Sequence, residues 1–476
     1  MNGRTAARFG AAILVAALGT AGCGGAGSEV DSPGTIAWNG CGDLQCATLV
    51  VPLDHRDPGG RKIEISVVRR PADDPGRRLG SLVVNPGGPG GSGVEFVRDG
   101  AQQYFDAETR SRFDVIGFDP RGVGESAPVR CLPDDEPEPD GAGGVEQIQR
   151  SVTACAERTG GVLPHMTTAA TARDMELLRI ALGDEKLTYL GISYGTVLGA
   201  TYADLFPDRV RAMVLDGPVD PAVWFGDRTV MDRERAVAFQ RALEAFFTGC
   251  LRNGRACTFG NGDPAGGLDR LLRATDVTPI PVRDGPPLDR DEAVAGITAA
   301  LFDEESWFDL ATALREAQDG EGRGLRELAA EPGFAGDAHV AVVCADTNDR
   351  LTPAALQEQV PELTRLSPVF GPMSNSYELC SFWPPAAAPY RPGPVVAAGA
   401  PPILVVGTTG DPATPLPGAV ATAKHLESGV LLTLDAWRHG AYGGGSPCVD
   451  AAVERCLAEL VAPPEGSACP REPAGR

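Results

Sequence analysis

Gly191-Ile192-Ser193-Tyr194-Gly195 is the stretch on which the fold turns. It matches G-x-S-x-G and stands between an apolar run, Leu187–Gly191, and a small-residue helical pattern, Tyr194–Phe206, that ends before Pro207. A tight strand-to-helix turn lifts the serine hydroxyl out of a sheet. Small residues at 191 and 195 let neighbouring backbone pass close by. The helix N-terminus then sets a positive dipole where negative charge develops. Five residues match by chance often enough; the flanking strand and helix give the match its weight.

Working outward, Ser81–Asn85, Val115–Asp119 and Val210–Asp216 read as further short buried strands. Thr171–Leu182 reads as a helix with Met175, Leu178 and Leu182 on one face. Ala47–Pro52 and Ile63–Arg69 could pair as an edge hairpin. Alternating strand and helix predicts a parallel sheet wrapped by helices. After Pro218 the rhythm changes to helices and loops, with proline dense in Thr278–Pro287 and Phe382–Pro394. Strand and helix return at Pro402–Val406, Pro417–Leu426, Val430–Leu434 and Val449–Leu460. The chain of 476 residues exceeds what one core usually serves. The expected organisation is a core over 36–218 and 396–476, interrupted by a helical cap over 219–395.

A second signal, Asn85-Pro86-Gly87-Gly88-Pro89-Gly90-Gly91-Ser92-Gly93, directly follows a predicted strand. No Gly-Lys-Ser/Thr follows, so it is not a phosphate loop. Attack of a hydroxyl on a carbonyl creates an alkoxide that fixed N–H groups must meet. Gly88 and Tyr194 are the expected amide donors of such an oxyanion hole.

The serine needs a base and an acid, in the chain order Ser, Asp or Glu, His. His425 falls within the helix-like run Ala419–Leu426 and reads as a surface residue. His439 lies in Trp437-Arg438-His439-Gly440, a loop after a strand, where a base belongs. His55, His165 and His339 read as structural or solvent-facing. Asp411 follows the strand Pro402–Val406 through Gly407-Thr408-Thr409-Gly410, on the ligand side of a parallel sheet. Asp435, four residues before His439, is the alternative acid. The set Ser193, Asp411 and His439 predicts an α/β-hydrolase fold: a mostly parallel sheet flanked by helices, with an inserted cap and acyl-enzyme chemistry. No cofactor or metal is called for; no CxxC pair occurs, and no histidine stands at ligand spacing to the cysteines.

The N-terminus reads as an export signal over 1–22. Arg4 and Arg8 precede the apolar run Phe9–Leu18, too short for a comfortable membrane span. Thr20-Ala21-Gly22-Cys23 resembles a bacterial lipoprotein box, which would make Cys23 the lipidated first residue; cleavage and release is the other outcome. Residues 23–35 then form a flexible tether. The chain is therefore expected outside the cytoplasm, with membrane attachment through Cys23 left open. An exported chain with 12 cysteines implies disulfides. Proximity suggests Cys41–Cys46, Cys131–Cys155, Cys250–Cys257, Cys344–Cys380 and Cys448–Cys469, leaving Cys456 as a buried thiol. A net charge of −22 argues against a nucleic-acid partner. Hydrophobic residues at 43% argue against disorder. Asp134–Asp140 reads as a solvated acidic loop.

Asn85–Gly93, Asp119-Pro120-Arg121-Gly122-Val123-Gly124-Glu125-Ser126, Gly191–Gly195, Gly410-Asp411-Pro412-Ala413-Thr414-Pro415 and His439-Gly440 together resemble the secreted actinobacterial tripeptidyl-aminopeptidase-like hydrolases, relatives of the prolyl aminopeptidases. The resemblance runs from about residue 36 to Cys469. Pro86 stands where the wider family has His. Cys380-Ser381-Phe382-Trp383-Pro384 and the Cys448…Cys469 tail also resemble that branch. The resemblance implies an exopeptidase that removes short peptides or single residues from free N-termini, its cap binding the substrate ammonium; a monomer is expected separately. Asp346, Glu304 and Glu305 are the candidate counter-charges, with Asp346 first because Cys344 could fix it. Glu125 is a candidate for the pocket mouth. A carboxylesterase of the same fold, or a non-catalytic binding lipoprotein, are the alternatives.

Overall fold

Phe113–Phe118 and Ile403–Thr408 are buried at every residue, which requires strands covered on both faces. The computed structural model describes residues 36–131, 144–252, 257–283, 285–330, 336–347, 350–373, 378–390 and 393–471. The expected signal over 1–22, Cys23, the tether to residue 35 and Asp134–Asp140 lie outside the described residues. The strands are β1 Asn39–Cys41, β2 Leu44–Pro52, β3 Lys62–Arg70, β4 Gly80–Asn85, β5 Phe113–Phe118, β6 Leu187–Ile192, β7 Val210–Asp216, β8 Ile403–Thr408, β9 Gly429–Leu434 and β10 Ser467–Cys469.

They form one ten-stranded sheet in the order β1-β2-β3-β5-β4-β6-β7-β8-β9-β10. The pairs β1–β2, β2–β3 and β3–β5 are antiparallel, and the remainder of the sheet is parallel. Side chains alternate between the faces. Tyr189, Met213, Leu215, Ile403 and Val405 meet Met175, Leu178, Val197 and Leu198 from the helices Thr168–Leu182 and Tyr194–Leu205. Leu190, Val214, Leu404 and Val406 face the other way, onto Val97, Phe105, Val449, Val453 and Leu457. The two three-residue edge strands carry no alternation to read; each is tied by a disulfide, Cys41–Cys46 at β1 and Cys448–Cys469 at β10.

The stretch 219–395 is helical, but it does not pack as one body. A core of its own joins Phe239, Phe246, Leu268, Ile297, Leu314, Leu325 and Phe370. Its two ends instead pack onto the sheet core: Trp224, Phe225 and Met231 at the start, and Ala341 to Cys344, Cys380, Trp383 and Val395 at the close. Cys131–Cys155, Cys250–Cys257 and Cys344–Cys380 are also bonded, and Cys456 is a buried free thiol. Among the described residues, no helix is long and apolar enough to cross a membrane, and no cluster of His, Cys, Asp or Glu is arranged to hold a metal ion.

Candidate active site

Ser193 caps β6 with φ 56° and ψ −125°, a left-handed backbone that a non-glycine residue adopts only when its surroundings impose it. The strain is held by its own N–H, which donates to Asp216 O at 2.8 Å, and by its carbonyl, which accepts from Thr196 N at 2.9 Å. The flanking glycines are explained by distance. A methyl at residue 191 would lie 2.3 Å from Gly195 O, and one at residue 195 would lie 2.7 Å from Asn85 O. Strand, turn and helix therefore pass closer than any side chain allows.

The glycine-rich loop after β4 lies against this turn. Gly87 has φ +96°, and a methyl there would sit 2.5 Å from Ile192 O, 2.9 Å from Ser193 Cβ and 3.1 Å from Tyr194 N. Gly87 N donates to Asn85 Oδ1 at 3.0 Å, and Gly91 N to Gly87 O at 3.1 Å, which fixes the loop from within. Gly88 follows with φ 110°. Among the described residues, no acceptor takes the N–H of Gly88 or of Tyr194.

Asp411 and His439 meet beyond the ends of β8 and β9. His439 Nδ1 lies 3.0 and 2.9 Å from Asp411 Oδ1 and Oδ2. The carboxylate can only accept, so Nδ1 carries the proton and Nε2 keeps its lone pair. Nε2 is buried and has no hydrogen-bond partner, so no bond joins it to Ser193 Oγ in this structure. Asp411 also accepts from Ala413 N at 2.9 Å, Thr414 N at 2.8 Å and Thr414 Oγ1 at 2.8 Å. These donors satisfy a carboxylate whose side chain is fully buried. A methyl on Gly217, at the end of β7, would lie 3.4 Å from His439 Cε1. Asp435, the other acid considered, turns away to Thr409 Oγ1 and Arg471.

Asp216 was passed over in the sequence although it closes β7 at the same end of the sheet. Its carboxylate accepts from Ala441 N and Tyr442 N at 3.0 Å, just past His439, while its carbonyl holds Ser193 N. Burial pushes its carboxyl up to about 6. Thr414 and Phe302 were also missed. The Phe302 ring stands edge-on to His439 at 5.4 Å, and Phe302 O accepts His439 N at 2.7 Å. Glu304 N returns a bond to Trp437 O at 2.8 Å, and Asp303 pairs with Arg438 at 3.1 Å. The insertion is thus stitched to the histidine loop.

Of the expected counter-charges, Glu304 and Glu305 follow this stitch. Glu304 is half-buried and 3.7 Å from Arg471; Glu305 is exposed. Asp346 is different. It is 4% exposed, and its oxygens accept from Thr168 N, Thr168 Oγ1 and Trp224 Nε1. Those protein donors occupy it; a substrate ammonium would have to displace them. Glu125 is exposed beyond the 119–124 turn. Arg121 in that turn is wholly buried, with its guanidinium on Asp174 at 2.7 and 2.8 Å and on Pro52 O, Leu53 O and His165 O. His55 also binds Asp174, and His425 lies 3.5 Å from Asp220.

Comparisons with known proteins identify the fold family. The family description of the α/β hydrolase fold matches residues 80–442. The serine protease Hip1 of Mycobacterium tuberculosis is 34% identical over 469 residues, covering 90% of this chain and 88% of that one. Carboxylesterase B of the same species is 35% identical, covering 91% and 89%. The tripeptidyl aminopeptidase of Streptomyces coelicolor is 33% identical, covering 88% and 82%. With a family match over most of its length and relatives of this identity, the chain belongs to the α/β-hydrolase family, in the branch that resembles the tripeptidyl aminopeptidases.

Proposed function

We propose that this chain is a serine exopeptidase that cleaves peptides near a free N-terminus. The observation that carries the chemistry is the buried, unpartnered Nε2 of a histidine whose Nδ1 is held by Asp411, at the sheet end where Ser193 is strained upward. His439 Nε2 takes the Ser193 proton as Oγ attacks the carbonyl carbon. The carbonyl electron pair moves to oxygen, which the N–H groups of Gly88 and Tyr194 receive. The C–N bond breaks, and the imidazolium gives its proton to the leaving amine. Water then attacks the acyl carbon with His439 again as base, the bond from that carbon to Ser193 Oγ breaks, and the imidazolium returns its proton to Oγ. Asp411 holds the ring tautomer and stabilises the imidazolium throughout.

Peptidase chemistry is favoured by the relatives named serine protease and tripeptidyl aminopeptidase. The substrate ammonium is assigned to the Glu304–Glu305 segment, because that segment is joined by backbone bonds to the histidine loop. Export over residues 1–22 and a lipid anchor at Cys23 belong to the same proposal. A carboxylesterase is the second reading, favoured by the relative of that name. Turnover of tripeptidyl-nitroanilides with free and acetylated N-termini, against p-nitrophenyl acyl esters, separates the two. A loss of at least tenfold in kcat/KM on acetylation is expected. Equal turnover of free and blocked peptides, with faster ester hydrolysis, would favour the esterase.

A further inference from the structure

We infer that the helix Asp337–Asp346 is a brace that sets both donors of the oxyanion hole, with His339 and Asp346 as positioning residues. The inference rests on the oxyanion assignment proposed above. The helix belongs to the insertion, yet Ala341 to Cys344 pack into the sheet core. Its first turn touches the loop that carries Gly88, and its last residue reaches Tyr194 through Thr168.

At the first turn, His339 Nδ1 lies 3.1 Å from Pro89 O. The carbonyl only accepts, so Nδ1 bears the proton and donates. Burial pushes this imidazole down to about 4, so it stays neutral and keeps that tautomer at ordinary pH. A methyl on Gly90 would lie 3.1 Å from His339 N, so the helix start is seated directly on the loop. Pro89 follows Gly88, whose N–H is one assigned donor.

At the last turn, Asp346 accepts from Thr168 N at 2.9 Å and Trp224 Nε1 at 2.8 Å, and also from Thr168 Oγ1. Thr168 Oγ1 also contacts Tyr194 OH at 2.6 Å. The carboxylate consumes the threonine proton, so the tyrosine must be the donor. The chain Tyr194 OH to Thr168 Oγ1 to Asp346 therefore has one direction. The Tyr194 ring packs on Trp224 at 5.1 Å between centroids. Tyr194 supplies the second assigned N–H. Its side chain is thus fixed from the insertion, while its amide faces the reacting oxygen.

Cys344, two residues before Asp346, is bonded to Cys380. That bond fixes the helix near the end that grips Thr168. The arrangement gives a physical reason for a buried acid after the apolar run Val340–Ala345: an aliphatic residue there would leave Thr168 N–H and Trp224 Nε1–H without acceptors. Errors of about 1 Å in a catalytic group cost about 10²-fold in rate.

The test uses the whole protein with Tyr194→Phe, Thr168→Val and their double variant, with His339→Leu for the Pro89 contact, expected to lower kcat by the same order, and with Thr168→Ser as the conservative control. kcat and KM are measured on one activated ester, together with the rate of fluorophosphonate labelling. Tyr194→Phe and Thr168→Val are expected to lower kcat and labelling roughly 10- to 100-fold with KM within about threefold. The double variant should lose no more than the worse single, since both cut one chain, and Thr168→Ser should restore kcat to within about threefold. Unchanged kcat in all variants, with only a lower melting temperature, would assign the chain a structural role and overturn the brace. Ser193→Ala separates the two levels. If it still labels, the nucleophile assignment fails and takes the brace with it. If it does not label while Thr168→Val reacts like the wild type, the brace alone fails.

Discussion

Asp411→Asn changes one atom in the densest hydrogen-bond cluster of the site, and its effect can be worked out from the donors. Oδ1 accepts from Ala413 N and Thr414 N, which are backbone groups that cannot reverse. The amide oxygen of an asparagine must therefore take the Oδ1 position, and its NH₂ must take that of Oδ2. There it faces His439 Nδ1 at 2.9 Å and Gly440 N at 3.3 Å. Two N–H groups cannot bond each other, and the Oδ1 contact at 3.0 Å is already shared with Ala413 N and Thr414 N, so His439 gains most by moving its proton to Nε2 and accepting from the new NH₂. The ring then has no lone pair for the Ser193 proton and no anion to stabilise the imidazolium. A tautomer error of this kind costs about 10⁴ in kcat, or about 5 kcal/mol at about 1.4 kcal/mol per decade. KM should stay within about threefold, because Asp411 is buried away from substrate, and stability should fall by only about 1–3 kcal/mol, the cost of leaving Gly440 N–H without its acceptor. Pre-steady-state kinetics on an activated ester would read the acylation step alone. A loss of less than tenfold, or a loss carried by KM, would refute the role derived for Asp411.

Gly87→Ala should remove at least about 10²-fold of kcat, since its methyl falls 2.5 Å from Ile192 O and 2.9 Å from Ser193 Cβ and must push the oxyanion loop off the nucleophile; steady-state kinetics on folded protein checks it. Arg121→Met should cost about 3–5 kcal/mol in urea unfolding, because it strands the buried Asp174 carboxylate with only His55 beside it. Asp232→Asn should change stability with pH. Burial pushes the Asp232 carboxyl up to about 7, so the native state binds the proton more tightly than the unfolded chain does. The wild type therefore loses stability as pH rises from about 4 through about 7, and the variant lacks the Asp232 share of that loss, while Asp216 titrates in both. Denaturation midpoints should favour the variant by a few kcal/mol at pH 8, with the gap closing toward pH 4; a gap that is constant across this range would contradict the shift.

Much of the fold was legible because buried parallel strands are short apolar runs, and β4 to β9 each carry one. The turn at Ser193 was legible too, since its glycines are required by contacts within a few residues. β1 and β10 escaped because three residues show no period. The split packing of 219–395 escaped because composition cannot say which core a buried Trp224 or Val343 joins. At the site, Asp411 and His439 could be picked out as residues just beyond strand ends. The link between Thr168 and Asp346 could not, the two being 178 residues apart in sequence and joined only by the fold; Asp346 was picked out, but for a substrate ammonium. Asp216 offered a signal that went unused: it ends a strand beside the nucleophile, and strand ends on that side are where ligands and catalytic groups gather.

Ser193 as nucleophile, raised by its own strained turn and deprotonated by His439, is the proposal on which the mechanism rests. Intact-protein mass spectrometry after brief exposure to a fluorophosphonate tests it most directly, with peptide mapping of the product. One adduct per chain is expected, on the peptide that carries Ser193, lost in Ser193→Ala and slowed at least about 10³-fold in His439→Ala. An adduct that persists in Ser193→Ala, or labelling of the wild type no faster than of the heat-unfolded chain, would contradict it.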